Sequence, residues 1–241
     1  MDDRTRMIRG LIAAQPAHTG GLVDRLRCVC QAATGALSAS GTGISVLTDD
    51  GTRGVYAASD PLSEHVEELQ FLLGEGPCLD AFERRRPVLI ADLAEEAMSR
   101  WPIYASEAHD RGVRAVFAFP LQVGAARLGV LDVFRDRAGR LSEQHLADAL
   151  CFADVAVEAL LDRQSDDTSA TDGPAPDSVT DAIGNRAELF QAQGMVMVQI
   201  RGSIADAAAR IRAYAYAENR SLGEVAHAIV AGDLRFEADR R

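Results

Sequence analysis

The stretch Ala192-Gln193-Gly194-Met195-Val196-Met197-Val198-Gln199 decides how the C-terminal part of this chain folds. Leu189, Ala192, Val196 and Ile200 recur at steps of 3, 4 and 4, which places them on one face of a helix. Phe190, Gly194 and Met197 form a second apolar stripe beside it. A glycine inside a helix costs about 1 kcal/mol relative to alanine, so Gly194 predicts a close approach by another backbone or a ligand. Downstream, Ser203-Ile204-Ala205-Asp206 and Ser221-Leu222-Gly223-Glu224 each set a carboxylate three residues after a serine. That arrangement caps the exposed N–H groups at the start of a helix. The second helix is expected to bury Ile204, Ala208, Ile211 and Ala215, and the third Leu222, Val225, Ala226 and Ile229. Three short helices with short connections, ending near Phe236, make a small bundle.

Upstream the pattern changes. Residues 1–20 read as a polar, irregular, flexible N-terminus. Leu22, Leu26, Val29, Ala33 and Leu37 then give a helical stripe, broken by Gly41-Thr42-Gly43. Strands over 44–47 and 54–58 flank the turn signal Asp50-Gly51, which predicts a hairpin. Residues 62–73 read as a helix with Val66, Leu69 and Leu73 on one side, ended by Gly74-Glu75-Gly76-Pro77. A short helix over 78–85 and a buried strand over 88–92 follow. A helix over 98–111 holds Pro102 in its first turn. Strands over 113–123 and 128–134 are joined by a turn at Gly124-Ala125-Ala126. Ser142 caps a last long helix, whose Leu146, Leu150, Ala153, Val157 and Leu160 alternate steps of 4 and 3. This is the spacing of a coiled-coil seam, or of a face that covers the sheet. The whole reads as an α+β domain over 21–162, a mainly antiparallel sheet with flanking helices. The Ser, Thr, Asp, Pro and Gly of 164–180 cannot bury enough apolar area to offset ordering, which predicts a flexible linker over 163–182. Residues 183–241 remain for the C-terminal three-helix bundle.

Charge separates the same regions. A net charge of −11 argues against nucleic-acid binding by the chain as a whole. Residues 1–162 hold 16 Arg against 24 acids, 163–182 hold 1 against 5, and 183–241 hold 8 against 7. Only the last segment carries a small positive surplus. All 25 basic residues are arginine, a uniformity that fits coding bias better than selection for phosphate contacts. Cys28, Cys30, Cys78 and Cys151 match neither a zinc ribbon nor a secreted disulfide scaffold, and read as buried free thiols in a reducing compartment. No signal-peptide core follows Met1 and no run approaches 18 apolar residues, so the expected location is the cytoplasm, without a membrane anchor.

Two resemblances attach to these residues. Gln191-Ala192-Gln193-Gly194-Met195-Val196-Met197, Ile211-Arg212-Ala213-Tyr214-Ala215 and Arg220-Ser221-Leu222-Gly223-Glu224-Val225-Ala226 resemble, in that order, an ANTAR domain over about 183–236. The resemblance implies a three-helix RNA-binding module that acts in transcription antitermination. Many ANTAR domains carry lysine where this chain has Gln193, which offers a hydrogen bond to RNA but no positive charge. The stretch Leu73-Gly74-Glu75-Gly76-Pro77-Cys78, with Arg86-Pro87-Val88, Phe119-Pro120-Leu121 and Leu128-Gly129-Val130-Leu131, looks like a GAF domain over about 22–161. That implies a sensory module for a small ligand, a cofactor or a second copy of itself. Which cofactor or ligand stays unknown at this point.

No catalytic set emerges. Gly74-Glu75-Gly76 lacks the context of a phosphate loop and reads as a turn that shapes the fold. Asp80 and Glu83 read as solvated helix-face charges, since no nucleophile accompanies them. The five histidines show no metal-ligand spacing, so no metal is expected, and His109 reads as a surface or capping residue in preference to a haem ligand. Cys78 near a helix start is either a redox-sensitive thiol or a small buried residue. For RNA, the resemblance and the chemistry of arginine select Arg186, Gln193, Arg201, Arg210, Arg212 and Arg220, with Tyr214 as a stacking face. Tyr216, two residues on, falls on a different face of the helix. The expected protein is a non-enzymatic, dimeric RNA-binding antitermination regulator that recognises structured RNA with hairpin loops, under control of a small-molecule-sensing domain. The rival reading is a ligand-binding or protein-interaction module whose helical C-terminus only dimerises.

Overall fold

The computed structural model describes residues 3–16, 21–47, 53–166, 177–218 and 220–237. It divides into an N-terminal unit, residues 1–70 with 75–173, and a C-terminal unit, residues 174–241 with 71–74.

Five strands organise the first unit: β1 (Gly41–Leu47), β2 (Arg53–Ala58), β3 (Val88–Ile90), β4 (Ala115–Val123) and β5 (Ala126–Arg135). Their order in the sheet is β2-β1-β5-β4-β3, and every pairing is antiparallel. Alternation along β1 sends Thr42 to one face and Gly41, Gly43 and Ser45 to the other. On the first face Thr42 Oγ1 donates to the Cys30 carbonyl at 2.7 Å, which docks helix α2 (Leu22–Ala36). Leu22, Leu26, Val29, Ala33 and Leu37, the stripe expected from spacing, are all buried there. Helix α7 (Glu143–Asp166) packs beside α2, and the Ser142 hydroxyl caps it by accepting from the His145 N–H at 3.1 Å. On the opposite face, Cβ atoms at Gly41 or Gly43 would collide with Ser63 and Glu67 of helix α3 (Pro61–Leu73). The bare backbone of β1 is what lets α3 lie so close to the sheet. Helix α4 (Pro77–Arg84) covers β3, β4 and β5, and α5 (Leu93–Glu96) packs against α6 (Pro102–Asp110), with Pro102 in its first turn.

Three expectations need correction here. Residues read as an irregular N-terminus form helix α1 (Asp3–Ala13), with Ile8 wholly buried and Arg9 paired to Glu158 of α7. Only one fully buried apolar residue in eleven leaves too weak a stripe for periodicity to register. The α7 seam is divided: Ala153 and Val157 are buried within the unit, Leu146 and Leu160 are half-buried, and Leu150 is 44% exposed. The helix expected from residue 98 starts at Pro102, because the residue before proline disfavours helical geometry. The turn signal at Asp50-Gly51 and the stretch 167–176 of the expected linker lie outside the described residues.

The C-terminal unit consists of α8 (Asp177–Ile200), α9 (Ile204–Ala217) and α10 (Leu222–Ala231). Ala192 and Val196, Ala207, Ile211 and Ala215, and Val225, Ala226 and Ile229 form its fully buried core. Both serine–carboxylate pairs are capping boxes: Ser203 with Asp206 and Ser221 with Glu224 exchange side-chain and backbone hydrogen bonds in both directions. Ile204, expected in the core, is 52% exposed, and Ala207 is buried instead. A Cβ at Gly194 would meet nothing within 4 Å, so no neighbour among the described residues explains this glycine.

Candidate functional site

Helix α9 sorts the candidate RNA contacts. Ile211 and Ala215 point into the core, so Arg210 and Tyr214 lie on one flank of that stripe and Arg212 and Tyr216 on the other. The structure therefore does not gather the candidates into one patch. The C-terminal tail covers the first flank. Tyr214 packs edge-on against Phe236 with ring centroids 5.6 Å apart, and Arg210 Nη1 donates to the Glu237 carbonyl at 3.3 Å. The Phe236 N–H donates in turn to Gln199 Oε1 of α8 at 2.9 Å. Tyr214 is thus half-buried and occupied within the unit, whereas Tyr216, on the other flank, is 42% exposed.

Gln193 follows the buried Ala192 on α8 and is half-buried. Arg201 is exposed at the end of α8 in left-handed geometry, φ 53°, a conformation that disfavours side chains other than Asn or Asp. Arg220 Nη2 donates to the Glu224 carbonyl at 3.1 Å across the start of α10. Arg186 lies on α8, but its side chain is outside the described residues. Among the described residues no charged side chain of this unit is buried, and its core is apolar.

The N-terminal unit is built the other way: charge sits at its centre. Asp132 occupies the middle of β5, paired with Gly43 on β1 and Ala118 on β4, neighbours small enough to leave room above it. Glu67 and Gln70 of α3, Cys78 of α4 and Tyr104 of α6 close over that space, and all five residues are wholly buried. Gln70 Nε2 donates to Asp132 Oδ2 at 2.9 Å, and Ser45 Oγ donates to Glu67 Oε2 at 2.8 Å. Burial and the facing Asp132 raise the Glu67 carboxyl well above its ordinary range, and burial pushes Asp132 up. The Tyr104 phenol is raised too, by burial and then by Asp132, Glu67 and Cys78.

The loop before α4 assembles this cluster. Gly76 has φ 147°, and a Cβ there would collide with Gln70, so only glycine fits. Gln70 Oε1 accepts from the Cys78 N–H at 2.8 Å, which fixes the start of α4 against α3. Glu75 Oε1 accepts from the N–H groups of Ile103 and Tyr104, both at 2.8 Å, and so caps α6 from a distance. The sequence signal Gly-Glu-Gly-Pro-Cys is a clamp that brings Cys78 and Tyr104 together. Glu75 carried no cue for this role, because its partners lie far along the chain.

The remaining candidates settle into structural places. Asp80 is half-buried and pairs with Arg84 at 3.2 Å and with Arg100, so of the two carboxylates expected to be solvated only Glu83 is exposed. All four cysteines, Cys78 included, are buried and none is in a disulfide. A pocket of about 120 Å³ lies elsewhere, at the end of the sheet by Ser40, Leu62, Arg111 and Phe134. Small-molecule sites usually span about 300–1,000 Å³, so this one is undersized for such a ligand. Among the described residues no helix is long and apolar enough to cross a membrane.

The profile of the GAF domain matches residues 22–160, and that of the ANTAR domain matches residues 177–230. No curated relative matches the sequence. Among solved structures, the GAF domain of an Acinetobacter phosphoenolpyruvate-protein phosphotransferase is 19% identical, with a TM-score of 0.51, covering 69% of this chain and 96% of that one. The corresponding domain from Coxiella burnetii is 18% identical, with a TM-score of 0.53, covering 68% of this chain and 95% of that one. At such identity the likeness carries the fold alone.

Proposed function

The chain belongs to the GAF-domain family and carries an ANTAR domain after it, and from that premise we propose that it is an RNA-binding antitermination regulator gated by its sensory domain. A signal-sensing regulator is what the two domains together make. RNA recognition is assigned to residues 183–236, by Arg186, Gln193, Arg201, Arg212 and Arg220, with Arg210 and Tyr214 needing displacement of the tail first. The observation that carries this reading is the ANTAR match itself, over a folded three-helix unit whose described arginines, Arg201, Arg210, Arg212, Arg220 and Arg235, all lie outside its buried core. The positive surplus is small, so affinity comes from a few oriented contacts and not from a broad field. The RNA is a structured one with short hairpin loops, and its capture keeps a terminator from forming. The bound signal shifts the population of RNA-competent protein by its differential affinity for two states, without covalent chemistry. The regulator works as a homodimer in the cytoplasm. Of the expected seam on α7, Leu150 is the residue open to a partner copy, and Leu150→Glu is expected to yield monomers. A Leu150→Glu chain that remains dimeric removes this surface.

Gel-shift titration of the full chain with a two-hairpin RNA tests the reading. Replacing Arg212 and Arg220 together with alanine is expected to weaken binding at least tenfold and to flatten its salt dependence by about one to two counterions. Gln193→Lys is expected to tighten binding with little change in sequence preference, since lysine adds phosphate attraction only. A full chain that binds no hairpin RNA at low salt, with or without its signal, favours the rival in which the helical C-terminus only dimerises.

A further inference from the structure

We propose that the interior of the sensory domain is a binding site for one divalent transition-metal ion, held by Glu67, Cys78 and Asp132 with the Tyr104 hydroxyl beside them. The inference concerns the N-terminal unit alone and stands whether or not the C-terminal unit binds RNA.

Four observations converge on it. The candidate ligand atoms of Glu67, Cys78 and Asp132 all lie within 4.8 Å of one another. Ligand atoms at bonds of about 2.0–2.3 Å and tetrahedral angles lie about 3.3–3.8 Å apart. Side-chain movement of up to about 1 Å therefore brings all three onto one ion. Next, each carboxyl is oriented from behind. Ser45 and Gln70 satisfy Glu67 Oε2 and Asp132 Oδ2, while the buried Glu67 Oε1 and Asp132 Oδ1 have no donor from outside the cluster, where Glu67 and Cys78 are the other groups that bond Asp132. One oxygen fixed by an outer hydrogen bond and the other left open is the arrangement that orients metal ligands. The Tyr104 hydroxyl is also wholly buried without a partner, and its phenol feels all three groups of the cluster. Finally, Cys78 is held at the start of α4 by its N–H donating to Gln70 Oε1 at 2.8 Å, and the same Gln70 side chain orients Asp132.

Two carboxylates and a thiol facing one another in a wholly buried space are unfavourable unless a cation or protons compensate them. One thiolate with two carboxylates and a phenol is a mixed sulfur–oxygen set. It suits iron(II), zinc or cobalt, whereas magnesium and calcium call for oxygen ligands only. The competing account is an acid pair sharing a proton, with Cys78 as a neutral thiol. It predicts no metal uptake at all.

The test is titration of the metal-free full chain with cobalt(II), read by absorption, and with zinc(II), read by thermal unfolding. One equivalent of cobalt per chain is expected, with a thiolate-to-cobalt charge-transfer band. Cys78→Ser is expected to abolish the band, and Glu67→Gln and Asp132→Asn each to weaken binding about 10- to 100-fold. Asp80→Asn, on the solvated side of α4, is expected to change neither. Should the buried variants fail to fold, zinc must still raise the Tm of the natural protein above its value in chelator. No stoichiometric cobalt uptake, an uptake without the thiolate band, or an unchanged Tm with zinc overturns the proposal.

Discussion

The two units solve opposite packing problems. Among the described residues the C-terminal unit keeps its charges out of the core: that core is eight small or branched apolar residues, and the carboxylates Asp206 and Glu224 work at the surface as helix caps. The sensory unit draws Glu67, Asp132 and Gln70 into its centre and relies on glycines to make space for them. A unit with an apolar core and peripheral arginines is suited to present a surface. A unit with polar groups converging on its interior is suited to enclose something. The contrast also predicts that each will respond to different perturbations, and separately.

Truncating the C-terminal core gives the largest effect. Ile211→Ala removes a fully buried side chain from a small unit, at a cost of about 2–5 kcal/mol. Calorimetry is expected to show the lower-melting transition lost and the sensory transition unmoved. A single transition that shifts as a whole breaks the separation. In the sensory unit, Gly43→Ala places a Cβ 2.5 Å from Glu67 Cγ, whose side chain is enclosed and cannot retreat. Overpacking of this kind costs about 1–3 kcal/mol, read as a lower midpoint for the sensory transition alone.

The caps come next. Ser221→Ala is expected to destabilise the C-terminal unit by about 1 kcal/mol in denaturant unfolding. The capping hydrogen bonds hold Asp206 and Glu224 below the ordinary carboxylate range, with Ser203 and Ser221 as the leading causes. A lowered folded pKa means that the unfolded state binds the proton more tightly. This contribution is therefore complete above the ordinary range of about pH 4 and is lost as pH falls through the lowered values. Circular dichroism against pH is expected to show the gap between Ser221→Ala and the natural chain narrowing in acid, since the variant loses the hydroxyl bond to the Glu224 carboxylate and keeps the backbone one. Parallel curves down to the lowest pH contradict the cap assignment.

The smallest effect has the opposite sign. Gly194→Ala adds a Cβ into open space within a helix and is expected to stabilise the C-terminal unit by about 0.5–1 kcal/mol. If an RNA backbone or a partner helix seats against Gly194, as its position in the motif suggests, the same substitution weakens that binding while the midpoint rises. Tighter folding with unchanged RNA affinity relieves Gly194 of any recognition role.

These contrasts also explain what could be read in advance. The sheet, the hairpins and the capped helices were legible because each rests on a local pattern: the apolar runs 113–123 and 128–134 joined by a turn, the stripe from Leu22 to Leu37, and serine followed by a carboxylate three residues on. The enclosed cluster was not. Asp132 hides in the apolar run 128–134, Glu67 and Gln70 read as the polar side of a helix, and Cys78 reads as a lone small residue. Only pairing of β5 with β1 and the packing of α3 and α4 bring them together, and these are long-range facts. In the C-terminal unit the motif selected the arginines one by one. The division of Arg210 and Tyr214 from Arg212 and Tyr216 follows from which side of α9 is buried. The tail over Tyr214 followed from nothing local.

Recognition of RNA is proposed to reside in the C-terminal unit, whose described charges lie outside its core. Ultraviolet crosslinking of the full chain to bound RNA, followed by identification of the crosslinked peptides, tests it most directly. Crosslinks confined to residues 183–236, on the Arg212 and Tyr216 flank of α9 and at Gln193 of α8, are the predicted result. Crosslinks in the sensory unit, residues 21–162, or none from any RNA that the protein retains, would contradict it.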